Sequence, residues 1–286
     1  MNRFTSFGAG LLVLAVLLLF APMTSAQLPQ VVKESFNYAE GTVGGLGDAS
    51  GGWGGPWEEV SPGYAEVVNE PLGFDIIPTA GNALMVFEAG TTFRDLADTW
   101  PDDGGVYWVS MLYKRFDAID VNDSYNGFSL FKDGSELLYI GKPWASKMLG
   151  LDGTGVGMGF SDVDAYDGGW MVVKLEMSGD AANDRAYLWI NPNPNVEPAI
   201  EDTACSVEWR GSNGFNRVRI GSGSAPNQAE CYYDEIRISQ TYAVLTQDGG
   251  GDPFGLPAPK SFYDFEETDG PVIDQGTAGN HGEIYD

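Results

Sequence analysis

The stretch Tyr232-Tyr233-Asp234-Glu235-Ile236-Arg237-Ile238-Ser239 decides the fold. Its pattern is that of one β-strand. Side chains alternate along a strand, so Asp234, Ile236 and Ile238 are expected on one face and Tyr233, Glu235, Arg237 and Ser239 on the other. A carboxylate in register with two core isoleucines must find a partner, because an isolated buried charge is costly. Either a cation sits there, or Asp234 reaches water at a strand end, or it pairs with an arginine such as Arg217.

The same alternation recurs upstream. Val106 to Tyr113 places Tyr107, Val109, Met111 and Tyr113 on one face, and Trp170 to Met177 does the same with Met171, Val173, Leu175 and Met177. Gly127–Phe131 and Leu137–Gly141 read as a hairpin across Asp133-Gly134, a strong turn signal. Ala83–Phe87, Ala186–Asn191, Cys205–Arg210 and Arg217–Gly221 are further short strands. Beyond residue 26, no segment has sustained helical periodicity. Many short strands separated by turns rich in Gly and Asp predict an all-β, antiparallel sandwich.

The chain has 286 residues, long enough for one large sandwich. Residues 1–26 have the pattern of a secretory signal peptide: Arg3, the apolar run Leu11–Phe20, and small residues Thr24-Ser25-Ala26 before Gln27. The apolar run is shorter than the ~20 residues of a membrane span. A formal charge of -26 makes nucleic acid and anionic membranes poor partners. Residues 27–245 form the expected sandwich domain and 246–260 a Gly/Pro linker. In 261–286, Ser261-Phe262-Tyr263-Asp264-Phe265-Glu266-Glu267-Thr268 echoes Ser35–Thr42, as if a second domain of the same kind began there.

Cys205 and Cys231 are the only cysteines. In an exported chain they are expected to form one disulfide, closing a loop worth ~3 kcal/mol; the alternative is two buried thiols. With one histidine, His281, a zinc site or a Ser/His/Asp triad is disfavoured.

Together these segments resemble concanavalin A-like, laminin-G-like jelly-roll domains of secreted bacterial proteins. The resemblance rests on the Phe36–Trp57 opening with its Gly/Trp loop, on Tyr107–Tyr113, on Gly169–Leu175 leading to Ala186–Asn191, and on the closing Tyr233–Ile238. In the tail, Asp274 to Gly282 is similar to a motif that opens such domains, with its central Ser-Gly-Asn replaced by Gly276-Thr277-Ala278. The resemblance implies a structural calcium ion near the first and closing strands, with Asp234 and Glu34 as carboxylate ligands. The Glu-x-Asp-x-x-Glu motif of glucanases in this group is absent. Asp162 and Asp164 share a face if extended, but they lie beside Gly-rich turns.

Glycan recognition uses exposed aromatic rings, and Trp53, Trp57, Trp100 and Trp144 are the candidates because each falls in a loop beside Gly or Pro. The alternative is that they plug the sandwich edge. The expectation is a secreted, non-catalytic recognition or adhesion module that binds glycan or another cell-surface component. A polysaccharide hydrolase or lyase and a ligand-free structural protein are the alternatives.

Overall fold

The computed structural model describes residues 31–246 apart from 75, 80, 117–123, 145, 181–183, 212 and 225–229; further on it describes the backbone of 263–264, 271–274 and 282–283. The expected signal segment and nearly all of the expected linker lie outside the described residues. The strands, in chain order, are β1 (Val31–Glu34), β2 (Gly41–Thr42), β3 (Glu58–Glu59), β4 (Ala65–Val68), β5 (Ala83–Val86), β6 (Thr91–Trp100), β7 (Val106–Arg115) and β8 (Ser124–Lys132). They continue with β9 (Ser135–Lys142), β10 (Met148–Gly153), β11 (Gly157–Asp164), β12 (Gly169–Glu176), β13 (Asp184–Ile190), β14 (Cys205–Trp209), β15 (Phe215–Ser224) and β16 (Cys231–Ser239). One short helix, α1 (Tyr242–Leu245), follows. In the tail, β17 (Tyr263–Asp264), β18 (Pro271–Asp274) and β19 (Gly282–Glu283) pair as a small antiparallel sheet.

Two antiparallel sheets make the expected sandwich. A nine-stranded sheet runs β14-β13-β12-β7-β16-β5-β4-β2, with β1 also on β16; a seven-stranded sheet runs β11-β10-β9-β8-β15-β6-β3. The first and closing strands pair directly, Glu34 opposite Ile236 and Val32 opposite Ile238. The β8–β9 hairpin turns at Asp133-Gly134, with Asp133 at φ 52°, as a tight two-residue hairpin requires.

The core between the sheets is built from inward residues such as Val109, Met111, Phe128, Leu130, Val173 and Ile220. The other face of the nine-stranded sheet carries a second apolar layer, where Trp108, Trp170 and Trp189 lie beneath Leu72, Ile77, Tyr242 and Leu245. β7 and β12 are therefore buried on both faces, which explains why their sequences are apolar at nearly every position.

The closing strand departs from the expected alternation. The register between β16 and β7 shifts between Asp234 and Arg237, and Glu235 takes φ 47°. This bulge inserts an extra residue and reverses the faces beyond it. Tyr233, Ile236 and Ile238 all enter the inter-sheet core. Asp234, opposite Leu112 of the second layer, does not share their face.

The disulfide expectation is also corrected. Cys205 opens β14 at the sheet edge and Cys231 opens β16, with β13, β12 and β7 between them. Four inter-strand steps separate them by about 19 Å, far beyond the ~7 Å that a disulfide spans. Burial pushes the Cys205 thiol up to about 12, so it is not a reactive thiolate.

Candidate binding site on the seven-stranded sheet

Three of the four candidate tryptophans are core residues. Trp57 stacks on Phe36 at 5.8 Å, and Trp53 lies 5.9 Å from Trp57. The Arg94 guanidinium sits 4.3 Å from the Trp53 ring and 5.6 Å from that of Trp57. Trp100 ends β6 rather than lying in a loop; it stacks on Phe215 at 5.9 Å with Tyr107 against its edge. None of these rings offers a face to a sugar, because all three are buried in the core between the sheets. Trp144 behaves differently. It is 49% exposed, whereas the other seven tryptophans are 3% or less.

Trp144 follows β9 and stands at a pocket of about 210 Å³ lined by Tyr125, Glu136, Tyr139, Pro143, Asp152 and Arg219. The register explains why these residues meet. Arg219 of β15 lies opposite Ser129 of β8, Ser129 opposite Tyr139 of β9, and Tyr139 opposite Asp152 of β10. Residues in register share a face, so the four form one row across the outer side of the sheet. Two residues along, Gly221, Gly127, Gly141 and Gly150 are likewise in register, and Phe160 of β11 follows them.

Gly127 of this row and Gly223 of β15 leave room for rings to lie on the sheet. A Cβ on Gly127 would come 2.6 Å from the Cζ and Oη of Tyr139. Tyr139 thus leans across Gly127, and its hydroxyl donates to the Lys142 carbonyl at 2.7 Å. A Cβ on Gly223 would collide with the ring of Tyr125. Tyr125 is then held edge-on to Tyr139 at 6.1 Å and 5.0 Å from Trp144. Beyond Asp152 and the glycine row, Met158 and Phe160 of β11 are exposed on this same face, extending the apolar surface.

Polar groups border these rings. Arg219 Nη2 donates to Glu136 Oε1 at 2.5 Å and to Ser129 Oγ at 3.0 Å. Its guanidinium also lies 5.1 Å from the Phe131 ring and 5.9 Å from Tyr125. Burial, and secondarily the nearby Glu136 charge, push the Asp152 carboxyl above the usual carboxylate range. Burial likewise drives the Tyr139 hydroxyl well above its ordinary value, so it acts only as a neutral hydrogen-bonding group. Rings that give a flat apolar face, beside hydroxyl-matching donors and acceptors, can bind a polyhydroxylated ring without further chemistry.

Of this constellation, sequence reasoning singled out Trp144 alone. The signal for the rest was the alternation Tyr125-Gly127-Ser129-Phe131 against Phe128 and Leu130. A strand with aromatics on both faces has one set to spare once the core is filled. β10 and β11, which carry Asp152 and Phe160, are obscured by five glycines between 150 and 159, a density that reads as turns.

The two proposed calcium ligands are separated in role. Glu34 is buried, and both its oxygens are committed. Oε1 accepts from the Phe36 N–H at 2.8 Å; Oε2 accepts from Tyr38 Oη at 2.8 Å, from Trp57 Nε1 at 3.1 Å, and from Arg94 Nη1. An oxygen set already filled by protein donors does not fit a metal ligand. Asp234 accepts from the Glu235 N–H at 2.7 Å. Burial pushes its carboxyl up to about 8, opposed by the Glu235 and Leu72 N–H groups and reinforced by the charges of Glu235 and Glu34. Among the described residues no three His, Cys, Asp or Glu side chains gather as a metal site. Asp162 and Asp164 lie on the edge strand β11 rather than in turns, and Asp164 pairs with Lys147 at 3.2 Å.

The fold and site define a two-sheet antiparallel sandwich with an aromatic and polar pocket on one outer face. No protein-family model matches the chain, and no curated protein is a significant match. Among solved structures, it is similar to an endo-β-1,4-glucuronan lyase from the fungus Trichoderma reesei: 12% identity over 63% of this chain and 89% of that one, TM-score 0.42. It is similar to a GH131 β-glucanase catalytic domain from Podospora anserina: 11% identity over 63% and 82%, TM-score 0.42. The botulinum neurotoxin serotype C1 binding domain is matched at 11% identity over 71% and 50%, TM-score 0.39. Likeness at this level carries no argument about ligand or activity.

Proposed function

We propose that this chain is an exported, non-catalytic carbohydrate-recognition module whose binding face is the outer side of the seven-stranded sheet. One observation carries the reading. The single exposed indole, Trp144, is braced by Tyr125 at the mouth of a pocket edged by Glu136, Asp152 and Arg219. An exposed aromatic of this size held in place by a second ring is costly to leave in water unless something covers it. Trp144 and Tyr125 supply the stacking surface; Asp152, Glu136 and Arg219 supply acceptors and donors for hydroxyls. Affinity electrophoresis of the full chain through gels containing neutral polysaccharides tests this. Retardation by at least one glycan, lost in Trp144→Ala, supports it. Equal mobility of wild type and variant in every gel sinks it.

A second reading, a polysaccharide-degrading enzyme, is favoured by Asp152. A carboxyl held above its usual range beside a second carboxylate is what a general acid requires. Against it, Glu136 is tied to Arg219. Release of reducing or unsaturated ends that disappears in Asp152→Asn would establish that reading.

A further inference from the structure

We infer that the pocket selects uncharged glycans and discriminates against polymers of uronic acids; this deepens, and rests on, the carbohydrate-recognition reading. The inference comes from the charges lining the site. Among the described residues Arg219 is the only basic side chain lining the pocket, against two carboxylates, Glu136 and Asp152. Arg219 is already paired with one of those carboxylates, so the two together bring no net positive charge to the pocket. Its Nη2 is bonded to Glu136 and to Ser129, and its guanidinium is packed against the Phe131 ring. The pairing of Arg219 with Glu136 leaves Asp152 as the uncompensated charge.

Other cations on this sheet are engaged as well. Lys142 is buried and donates from Nζ to the Ser124 carbonyl at 2.6 Å. Lys147 pairs with Asp164, and Lys132 donates to Thr99 Oγ1. A carboxylated sugar stacked on Trp144 therefore meets a pocket lining of net negative charge, two carboxylates against one guanidinium, in a chain whose formal charge is -26. Like charges brought within a few ångströms at a half-buried site weaken binding by about tenfold or more. A neutral hexose or pentose chain carries no such cost and can use the same carboxylates as hydroxyl acceptors.

Isothermal titration of the full chain at low and at physiological salt tests this. The neutral probes are hydroxyethylcellulose, laminarin, galactomannan and arabinoxylan; the acidic ones are alginate and polygalacturonate. At least one neutral polymer is expected to bind, and both acidic polymers to bind about tenfold more weakly or not at all. Asp152→Asn, which leaves the Arg219–Glu136 pair intact, should narrow the gap, and Asp152→Asn with Glu136→Gln should narrow it further. Acidic polymers bound as tightly as neutral ones by the wild-type protein overturn the inference while leaving carbohydrate recognition standing. A preference for neutral polymers that neither variant changes overturns the electrostatic cause. No binding to any of the six polymers removes the recognition reading and the inference with it.

Discussion

Removing the Glu34 carboxylate should destabilise the sandwich severely. Glu34 ends β1 and sits where the first strand, the Gly/Trp loop and β6 converge. Its four donors come from Phe36, Tyr38, Trp57 and Arg94. In Glu34→Ala the Arg94 guanidinium, 2% exposed, keeps only the carbonyls of Gly55 (Nε, 2.9 Å) and Asp48 (Nη2, 3.2 Å) and the faces of Trp53 and Trp57. Breaking a buried pair from one side costs about 3–5 kcal/mol, because a charge remains without compensation. The Phe36 N–H and the Trp57 indole N–H lose their acceptor as well, at ~1–3 kcal/mol each when buried, though such losses do not add. A loss of about 4–5 kcal/mol follows, against the ~5–15 kcal/mol of an ordinary domain. Urea unfolding of the full chain, followed by tryptophan fluorescence, reads it. The midpoint should fall by roughly 2 M for a slope of ~2 kcal/mol/M. Replacing both partners, as Glu34→Leu with Arg94→Met, should recover much of the loss because no buried charge is left. A loss below about 1 kcal/mol for Glu34→Ala would refute the account of this cluster.

Three other outcomes follow from particular residues. Asp234 has a folded-state value of about 8, above its unfolded value of ~3.9. The native state then holds a proton that the unfolded chain has lost, and stability should fall with rising pH between about 4 and 8, by up to ~1.4 kcal/mol per unit. Asp234→Asn should remove that component and stabilise the protein at pH 8. A calcium ion on Asp234 would instead favour the ionised form, so a melting temperature that drops on chelation, and stops responding in Asp234→Asn, would contradict the prediction. Without reductant, denatured protein should titrate two thiols per chain, because Cys205 and Cys231 are four strand positions apart; zero thiols would mean that they are bonded. Gly127→Ala should cost about 1–3 kcal/mol and weaken glycan binding, since the added methyl meets both the Ile140 carbonyl oxygen of β9 and the Tyr139 ring; unchanged binding would mean that neither the β8–β9 pairing here nor the Tyr139 ring shapes the site.

The sandwich was legible because strand alternation and turn chemistry are local. The Asp133-Gly134 hairpin, β7, β12 and the closing strand all lie close to where their patterns place them. The face of Asp234 was not legible, because one bulge residue at Glu235 reverses every later side chain and nothing in the alternation marks it. The tryptophans were misread for a related reason. Proximity to glycine identifies a loop, not the direction of its side chains, and only the tertiary fold turns Trp53 and Trp57 inward onto Arg94. The pocket was the least legible part. Its row of Arg219, Ser129, Tyr139 and Asp152 is drawn from four strands, and only the sheet register brings it together.

The exposed indole permits a direct test of the binding face. All other tryptophans are 3% exposed or less, so collisional quenching by acrylamide reports chiefly on Trp144. Saturating the full chain with a neutral glycan that it binds should protect the quenchable fluorescence, and Trp144→Phe should abolish both the quenchable fraction and its protection. Unchanged quenching of Trp144 in the glycan-saturated protein would contradict the assignment of this face as the binding site.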